Sequence, residues 1–98
     1  MIVVRDVFRV GPENMREAKQ EIVKHRELTA PLGYRISRIL TDLVGDYYTM
    51  VLESEYKSLA DYEKALKAIL ADKGWQQSYG RFRKMIRHGR REIYTVVE

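Results

Sequence analysis

The chain has 98 residues, of which 45% are hydrophobic and 33% are charged, and its formal net charge is +4. This length predicts one domain, residues 1–98, with a single modest core. Disulfides, thiolate zinc sites and iron–sulfur clusters are excluded because the chain contains no cysteine. The sequence has no apolar run of the roughly 18 residues that a transmembrane helix requires and no signal-peptide pattern. We therefore expect a cytoplasmic protein without a membrane partner.

Strand-like and helix-like patterns alternate in the first third of the chain. Residues 2–10 alternate with a period of two and are rich in β-branched side chains, which predicts a strand that ends at the Gly11-Pro12 pair. Apolar residues then recur at three- and four-residue spacing, and His25 falls on the same line. We therefore predict a helix from Pro12 to Thr29.

A β-hairpin is predicted for the middle of the chain. Two runs rich in β-branched and aromatic residues, Tyr34 to Leu40 and Tyr47 to Glu55, flank the polar, glycine-containing segment Thr41 to Asp46. Strand-like runs separated by such a segment are typical of a hairpin with a longer loop.

Two helices and a final strand complete the pattern. Ser58 is a predicted N-cap with an acidic residue three positions later. Asp72 can cap a further helix, whose aromatic stripe continues to Ile86 and whose C′ residue is predicted to be Gly89. Residues 91–97 are strand-like. The order β-α-β-β-α-(α)-β predicts an α+β, ferredoxin-like fold, with the extra helix before the last strand and all helices on one face of an antiparallel sheet.

The other face of this sheet has no predicted cover. If this face were exposed to water, its residues should be mainly polar. Both sides of the first strand are instead partly apolar, because Val3 and Val7 lie on one side and Val4 and Phe8 on the other. A four-stranded face of this kind would expose an apolar area that soluble monomers rarely tolerate. We therefore predict a homodimer that packs sheet face to sheet face about a two-fold axis.

Three segments carry a resemblance to a known family. They are VFRVGPENMREA at the first strand-to-helix junction, YYTMVLESEYKSLADYEKAL from the third strand into the second helix, and GRREIYTVVE at the end. In these segments the chain resembles the dimeric α+β-barrel proteins, and among them the NIPSNAP group. The resemblance implies a homodimer whose two sheets enclose a barrel-like interior. Relatives include cofactor-free antibiotic-biosynthesis monooxygenases, haem-degrading monooxygenases, and small-ligand cyclases and isomerases, so the resemblance supports the fold more than a function.

Asp6 and His25 are polar residues on predicted apolar faces. A buried carboxylate at Asp6 needs a partner, and the candidates are arginines on other strands: Arg35, Arg38, Arg90 and Arg91. Such a pair would orient a polar ligand, or it would be an ion pair at a sheet rim or dimer interface, which is the simpler interpretation. His25 is a base or, more simply, a packed histidine. No further histidine, cysteine or carboxylate completes a metal site at a matching helical spacing with His25, so we predict no metal site.

Two aromatic residues complete the predicted ligand site. Tyr48 suits the wall of a half-wet cavity, although interface packing explains it equally well. Trp75 lies on a helical stripe that is typical of a core, while some barrel monooxygenases place a tryptophan at the cavity. We predict no cofactor, because haem-degrading relatives hold an axial histidine in the second helical region, where this chain has none. The predicted ligand-binding residues are Asp6, His25, Arg38, Tyr48 and Trp75.

The leading hypothesis is a small-molecule-binding homodimer, with cofactor-independent monooxygenase or isomerase chemistry on a small hydrophobic ligand. The alternative uses the basic run from Arg81 to Arg91, which contains no acid. This run is either a solvated helix face or the surface of a non-catalytic module that binds an anionic partner. Nucleic acid is part of this alternative but is the less favoured partner, because no RNA-recognition signature accompanies the run. The residues predicted to bind the anion are Arg83, Lys84, Arg87, Arg90 and Arg91.

Overall fold

The strands and helices follow the predicted order in a computed structural model that describes residues 1–98. The strands are β1 (Ile2–Val10), β2 (Ile36–Thr41), β3 (Thr49–Tyr56) and β4 (Ile86–Thr95), and the helices are α1 (Met15–Thr29), α2 (Leu59–Leu70) and α3 (Lys73–Arg83). Short 3-10 helices, Pro12–Asn14 and Ala30–Leu32, flank α1. The strands form one antiparallel sheet in the order β2-β3-β1-β4. This confirms the predicted α+β, ferredoxin-like fold with its extra helix.

The core lies between the three helices and one face of the sheet. Its central strands contribute Val4, Val10 and Met50, each at most 1% exposed. The predicted stripe of α1 does face this core, because its buried residues are Ala18, Ile22, His25 and Thr29. Phe82 of α3 contacts Phe8 of β1 edge to face, with ring centroids 5.2 Å apart. None of the helices has the length and apolar character needed to cross a membrane.

Side-chain caps fix where α2 and α3 begin. The Ser58 hydroxyl accepts a hydrogen bond from the Asp61 N–H at 3.3 Å, and the Asp72 carboxylate accepts one from the Trp75 N–H at 2.8 Å. Each cap satisfies a backbone N–H that has no partner within the helix. Both predicted N-caps are therefore confirmed.

The predicted end of α3 is wrong. The helix ends at Arg83, Ile86 begins β4, and Gly89 lies inside that strand and not at a helix end. Gly89 pairs with Phe8 of β1, and a Cβ at this position would lie only 3.0 Å from Phe8 Cδ1. The glycine is therefore explained by the close approach of a ring to the strand backbone and not by a left-handed helix end.

The face of the sheet opposite the helices carries a network of ion pairs. Glu53 of β3 is 7% exposed, and its carboxylate lies 3.0 Å from Arg5 Nε and 2.8 Å from Arg38 Nε. Glu92 of β4 accepts a hydrogen bond from Arg90 at 2.9 Å. The molecule measures 37 × 34 × 18 Å, and the shortest extent is close to the thickness of one sheet and one helix layer. No second layer of the same chain covers this face.

We expect Phe82→Ala to lower the free energy of unfolding by about 3–5 kcal/mol, because it removes a fully buried ring and leaves a cavity against Phe8. Urea denaturation followed by circular dichroism measures this loss. Leu43→Ala is the matched control, since Leu43 is 97% exposed and its replacement should change stability by less than about 0.5 kcal/mol. Equal effects of the two substitutions would contradict the assignment of Phe82 to the core.

Candidate functional site

A cavity of about 580 Å³ lies between the helices and the sheet. This volume is in the range of small-molecule sites, about 300–1,000 Å³. Twelve of the 17 lining residues are hydrophobic, and every helix contributes to the wall. The charged or ionisable lining side chains lie on β1, β4 and α1. They are Asp6, His25 and Arg91, beside the hydroxyl groups of Tyr34 and Tyr79.

One polar end of the cavity is built around Asp6, which is 7% exposed in the middle of β1. The register of β1 and β4 places Arg91 directly opposite Asp6, and Arg91 Nε donates a hydrogen bond to Asp6 Oδ1 at 2.6 Å. The Tyr34 hydroxyl donates to the other carboxylate oxygen at 3.2 Å. Of the four arginines considered from the sequence, the structure therefore pairs Arg91 with Asp6.

Three tyrosine rings surround this pair. Tyr34, Tyr56 and Tyr62 contact one another with ring centroids 5.2–6.1 Å apart, and the Arg91 guanidinium lies 5.7 Å from the centre of the Tyr62 ring. Burial, and then the negative charge of Asp6, raise the pKa of Tyr34 far above its usual value. Tyr34 therefore stays protonated and remains a hydrogen-bond donor to Asp6.

The other polar end is formed by His25 of α1, which is 6% exposed. Its Nδ1 lies 2.9 Å from the Ser78 hydroxyl of α3, and that hydroxyl donates to Glu21 Oε2 at 3.1 Å. Arg81 Nε donates to the second oxygen of Glu21 at 2.9 Å. The four side chains thus form one chain of contacts that joins α1 to α3.

The surroundings of these groups determine their charge near neutral pH. Burial lowers the pKa of His25, and the nearby negative charge of Glu21 opposes this only in part. Hydrogen bonding to Arg81 lowers the pKa of Glu21, helped by the Ser78 hydroxyl and by Lys24. His25 is therefore neutral and Glu21 ionised at pH 7.

Trp75 connects the His25 end to the apolar wall. Its ring stacks on Tyr79 with centroids 4.9 Å apart and planes within 7°, and its centroid lies 5.9 Å from that of His25. The structure therefore brings three of the five predicted ligand-binding residues, Asp6, His25 and Trp75, to one cavity. This cavity lies under the helices, whereas the sequence-based expectation placed the ligand between the two sheets of a dimer.

Arg38 and Tyr48 do not reach the cavity. A register shift between Ile36 and Arg38 turns the Arg38 side chain to the face opposite the helices, where it pairs with Glu53. Tyr48 precedes β3, which begins two residues later than predicted, and its backbone φ of 61° is uncommon for a residue other than glycine. Its side chain lies against Tyr47 near the hairpin loop.

The five residues predicted to bind an anion do not form one surface. Arg83 and Lys84 lie at the end of α3, while Arg87, Arg90 and Arg91 belong to β4. Side chains alternate along a strand, so Arg90 pairs with Glu92 on the face opposite the helices and Arg91 points to the cavity. Arg87 pairs with Glu13 at 2.8 Å. The basic run is therefore not one solvated face of a helix, because α3 ends before most of it.

Sequence reasoning missed several members of the site, among them Glu21 and Ser78. One usable signal was present, because Glu21 precedes His25 by four residues and so lies on the same side of the helix. Ser78 carried no local signal, since its contact with His25 spans 53 residues of sequence. No group of three or more histidine, aspartate or glutamate side chains is arranged to hold a metal ion.

Comparison with known proteins identifies the family. The NIPSNAP family model matches residues 5–98. The chain belongs to the NIPSNAP family. This confirms the resemblance found in the sequence. A search of curated proteins found no match to this chain.

Solved structures show how widely the fold is shared. A NIPSNAP family protein from Agrobacterium tumefaciens is 19% identical, with a TM-score of 0.87 over 96% of this chain and 90% of that one. An uncharacterized NIPSNAP domain protein from Burkholderia xenovorans is 15% identical, with a TM-score of 0.89 over 99% and 95%. An antibiotic biosynthesis monooxygenase is 13% identical, with a TM-score of 0.72 over all of both chains. At these identities the similarity establishes the fold alone.

The buried His25 gives folding a dependence on pH. Because burial lowers the pKa of His25 below its ordinary value, the unfolded chain binds this proton more readily than the folded protein. Stability from this group is complete above the unfolded-state pKa and is lost as the pH falls below it toward the lower folded-state pKa. Urea midpoints measured from about pH 8 to about pH 5 should show this loss.

His25→Phe should weaken this dependence on pH, because the proton-binding group is removed. His88→Gln is the matched control, since His88 is exposed on β4, and it should retain the wild-type dependence. An unchanged slope in His25→Phe would contradict the assignment.

Proposed function

We propose that this NIPSNAP family protein is a homodimer that binds a small hydrophobic ligand in the cavity between its helices and its sheet. The cavity itself is the observation that carries the proposal. Its volume of about 580 Å³ and its mainly hydrophobic lining suit an organic molecule with few polar groups. The Asp6–Arg91 pair and His25 are placed to bind the polar groups of that molecule.

The chemistry that we propose is cofactor-independent oxygenation or isomerisation. Both reactions begin when a base removes a proton from an activated position of the ligand. In an isomerisation the proton returns to a different atom. In a monooxygenation by O₂, a CH₂ group becomes a carbonyl, one oxygen atom enters the ligand, and the second leaves as water with the two hydrogens.

The two polar ends of the cavity suit different parts of this chemistry. His25 is neutral near pH 7 and can accept a proton. Asp6 already accepts hydrogen bonds from Arg91 and Tyr34, so its role is to hold the guanidinium in place. Arg91 can then stabilise negative charge that develops on a ligand oxygen.

The uncovered face of the sheet supports the homodimer. Leu40 and Tyr94 are exposed on this face, at 36% and 50%, beside Val7 and Val51 of the two central strands. The ion pairs around Glu53 neutralise the charges between these residues. A second copy of the sheet would cover this mixture of apolar side chains and paired charges.

We expect 2-naphthol, used as a probe ligand, to shift the indole N–H resonance of Trp75, the only tryptophan, in titrations followed by ¹H–¹⁵N NMR. Leu66→Phe should weaken this binding, because Leu66 lines the cavity and a larger ring fills part of it. The matched control is Leu59→Phe on the same helix, since Leu59 is 53% exposed and lies outside the cavity. Equal binding by the two variants would place the probe elsewhere.

Val7→Lys should convert the dimer to a monomer, because a lysine at the centre of the uncovered face would be buried without a partner in the interface. Light scattering after size exclusion, at micromolar concentrations, measures the mass. Leu43→Lys in the exposed hairpin loop is the control and should remain dimeric. A monomeric wild-type protein throughout this range would refute the homodimer.

A further inference from the structure

The contacts of Ser78 determine which nitrogen of His25 carries the proton. A serine hydroxyl has a single hydrogen to donate. Ionised Glu21 is only an acceptor, and the Ser78 hydroxyl donates its hydrogen to Glu21 Oε2 at 3.1 Å. The Ser78 oxygen is then left as an acceptor, 2.9 Å from His25 Nδ1. This short contact is a hydrogen bond only if Nδ1 is the protonated nitrogen.

Arg81 maintains this arrangement from the far end. Its Nε donates to Glu21 Oε1 at 2.9 Å, and a second guanidinium nitrogen donates to Oε2 at 3.3 Å. The cation keeps Glu21 ionised, so the carboxylate does not compete with Ser78 as a donor. The direction of every hydrogen bond from Arg81 to His25 is therefore fixed.

The second ring nitrogen, Nε2, has a different environment. It makes no hydrogen bond with the protein, and it is not among the fully enclosed polar atoms without a hydrogen bond, which include the hydroxyls of Tyr56 and Tyr62. Nε2 is therefore not completely enclosed by protein atoms, and His25 lines the cavity. In the tautomer that Ser78 imposes, this nitrogen carries a lone pair and no hydrogen.

We infer that Arg81, Glu21 and Ser78 hold His25 as its Nδ1–H tautomer, and that Nε2 is a specificity-determining acceptor for a hydroxyl-bearing aromatic ligand. The ligand class in this inference rests on the proposed function. A phenol or enol can donate its O–H to Nε2 while its ring contacts Trp75, whose centroid lies 5.9 Å from that of His25. An ether or a hydrocarbon of the same shape has no hydrogen to donate.

The charged groups that surround His25 do not compete for this role. On its own helix and on α3, Glu21 and Arg81 are paired with each other. From the sheet, Asp6 and Arg91 face the same cavity and are likewise paired. The residues of α2 that line the cavity are Leu66, Ile69 and Leu70, which carry no charge. The imidazole is therefore the one neutral base in the cavity wall.

The tautomer can be measured without any ligand. Long-range ¹H–¹⁵N NMR of uniformly labelled protein distinguishes a protonated ring nitrogen from an unprotonated one. At pH 7.5 we expect His25 to show a protonated Nδ1 and an unprotonated Nε2, with the exposed His88 as internal reference. Ser78→Ala should shift the His25 population toward Nε2–H, because Nδ1 loses its acceptor. Ser37→Ala is the control, since Ser37 donates to the main-chain carbonyl of Glu53 and does not line the cavity.

The ligand class is tested by comparing 2-naphthol with 2-methoxynaphthalene, which has nearly the same shape and no hydroxyl hydrogen. The wild type should bind 2-naphthol about threefold to tenfold more tightly, the value of one hydrogen bond. His25→Phe keeps an aromatic ring but no acceptor, and it should bind the two compounds equally.

The outcomes separate this inference from the proposed function. An Nε2–H tautomer in the wild type would overturn the inference, even if both compounds bind. Retained discrimination by His25→Phe would overturn the role of Nε2 as the acceptor. Failure of both compounds to bind would refute the proposed function and the ligand class together, while an Nδ1–H tautomer would still establish the role of Ser78.

Discussion

The ion pair between Asp6 and Arg91 determines where the cavity lies. A carboxylate in the middle of a central strand cannot be covered by apolar side chains alone, because an unpaired buried charge is very costly. Arg91 reaches it from the edge strand β4, and Tyr34 reaches it from the segment before β2. The three groups keep one end of the helix–sheet layer polar, while Phe8 and Phe82 pack closely beside it.

His25 provides a second polar position on the opposite wall, and it differs from Asp6 in kind. Each oxygen of the Asp6 carboxylate accepts a hydrogen bond from its own chain, whereas the imidazole has one nitrogen in a hydrogen bond and one without a protein partner. An apolar cavity with a fixed cation at one end and a neutral base at the other is suited to orienting a polarised organic ligand. Family membership and fold similarity at 13–19% identity do not choose among the reactions that this arrangement permits.

Local chemistry made much of the fold predictable from the sequence. Ser58 and Asp72 cap helices through contacts three residues away, so the signal and its effect lie in the same turn. The spacing of α1 placed His25 on the inward side, and one of the arginines proposed for Asp6 is its partner. The end of α3 escaped prediction, because Ile86 continues the helical spacing of the aromatic stripe and Gly89 suits a helix end, while their pairing with β1 makes them part of a strand.

The sequence by itself determined the order of the elements, the helix N-caps, the family, and the presence of a buried acid and a buried histidine. The tertiary structure decided which side of the sheet the cavity occupies, which arginine meets Asp6, and that Ser78 meets His25. These contacts join residues 85 and 53 positions apart. Strand register and helix packing determine them, and neither leaves a periodic signal in the sequence, because each depends on how distant segments fit together.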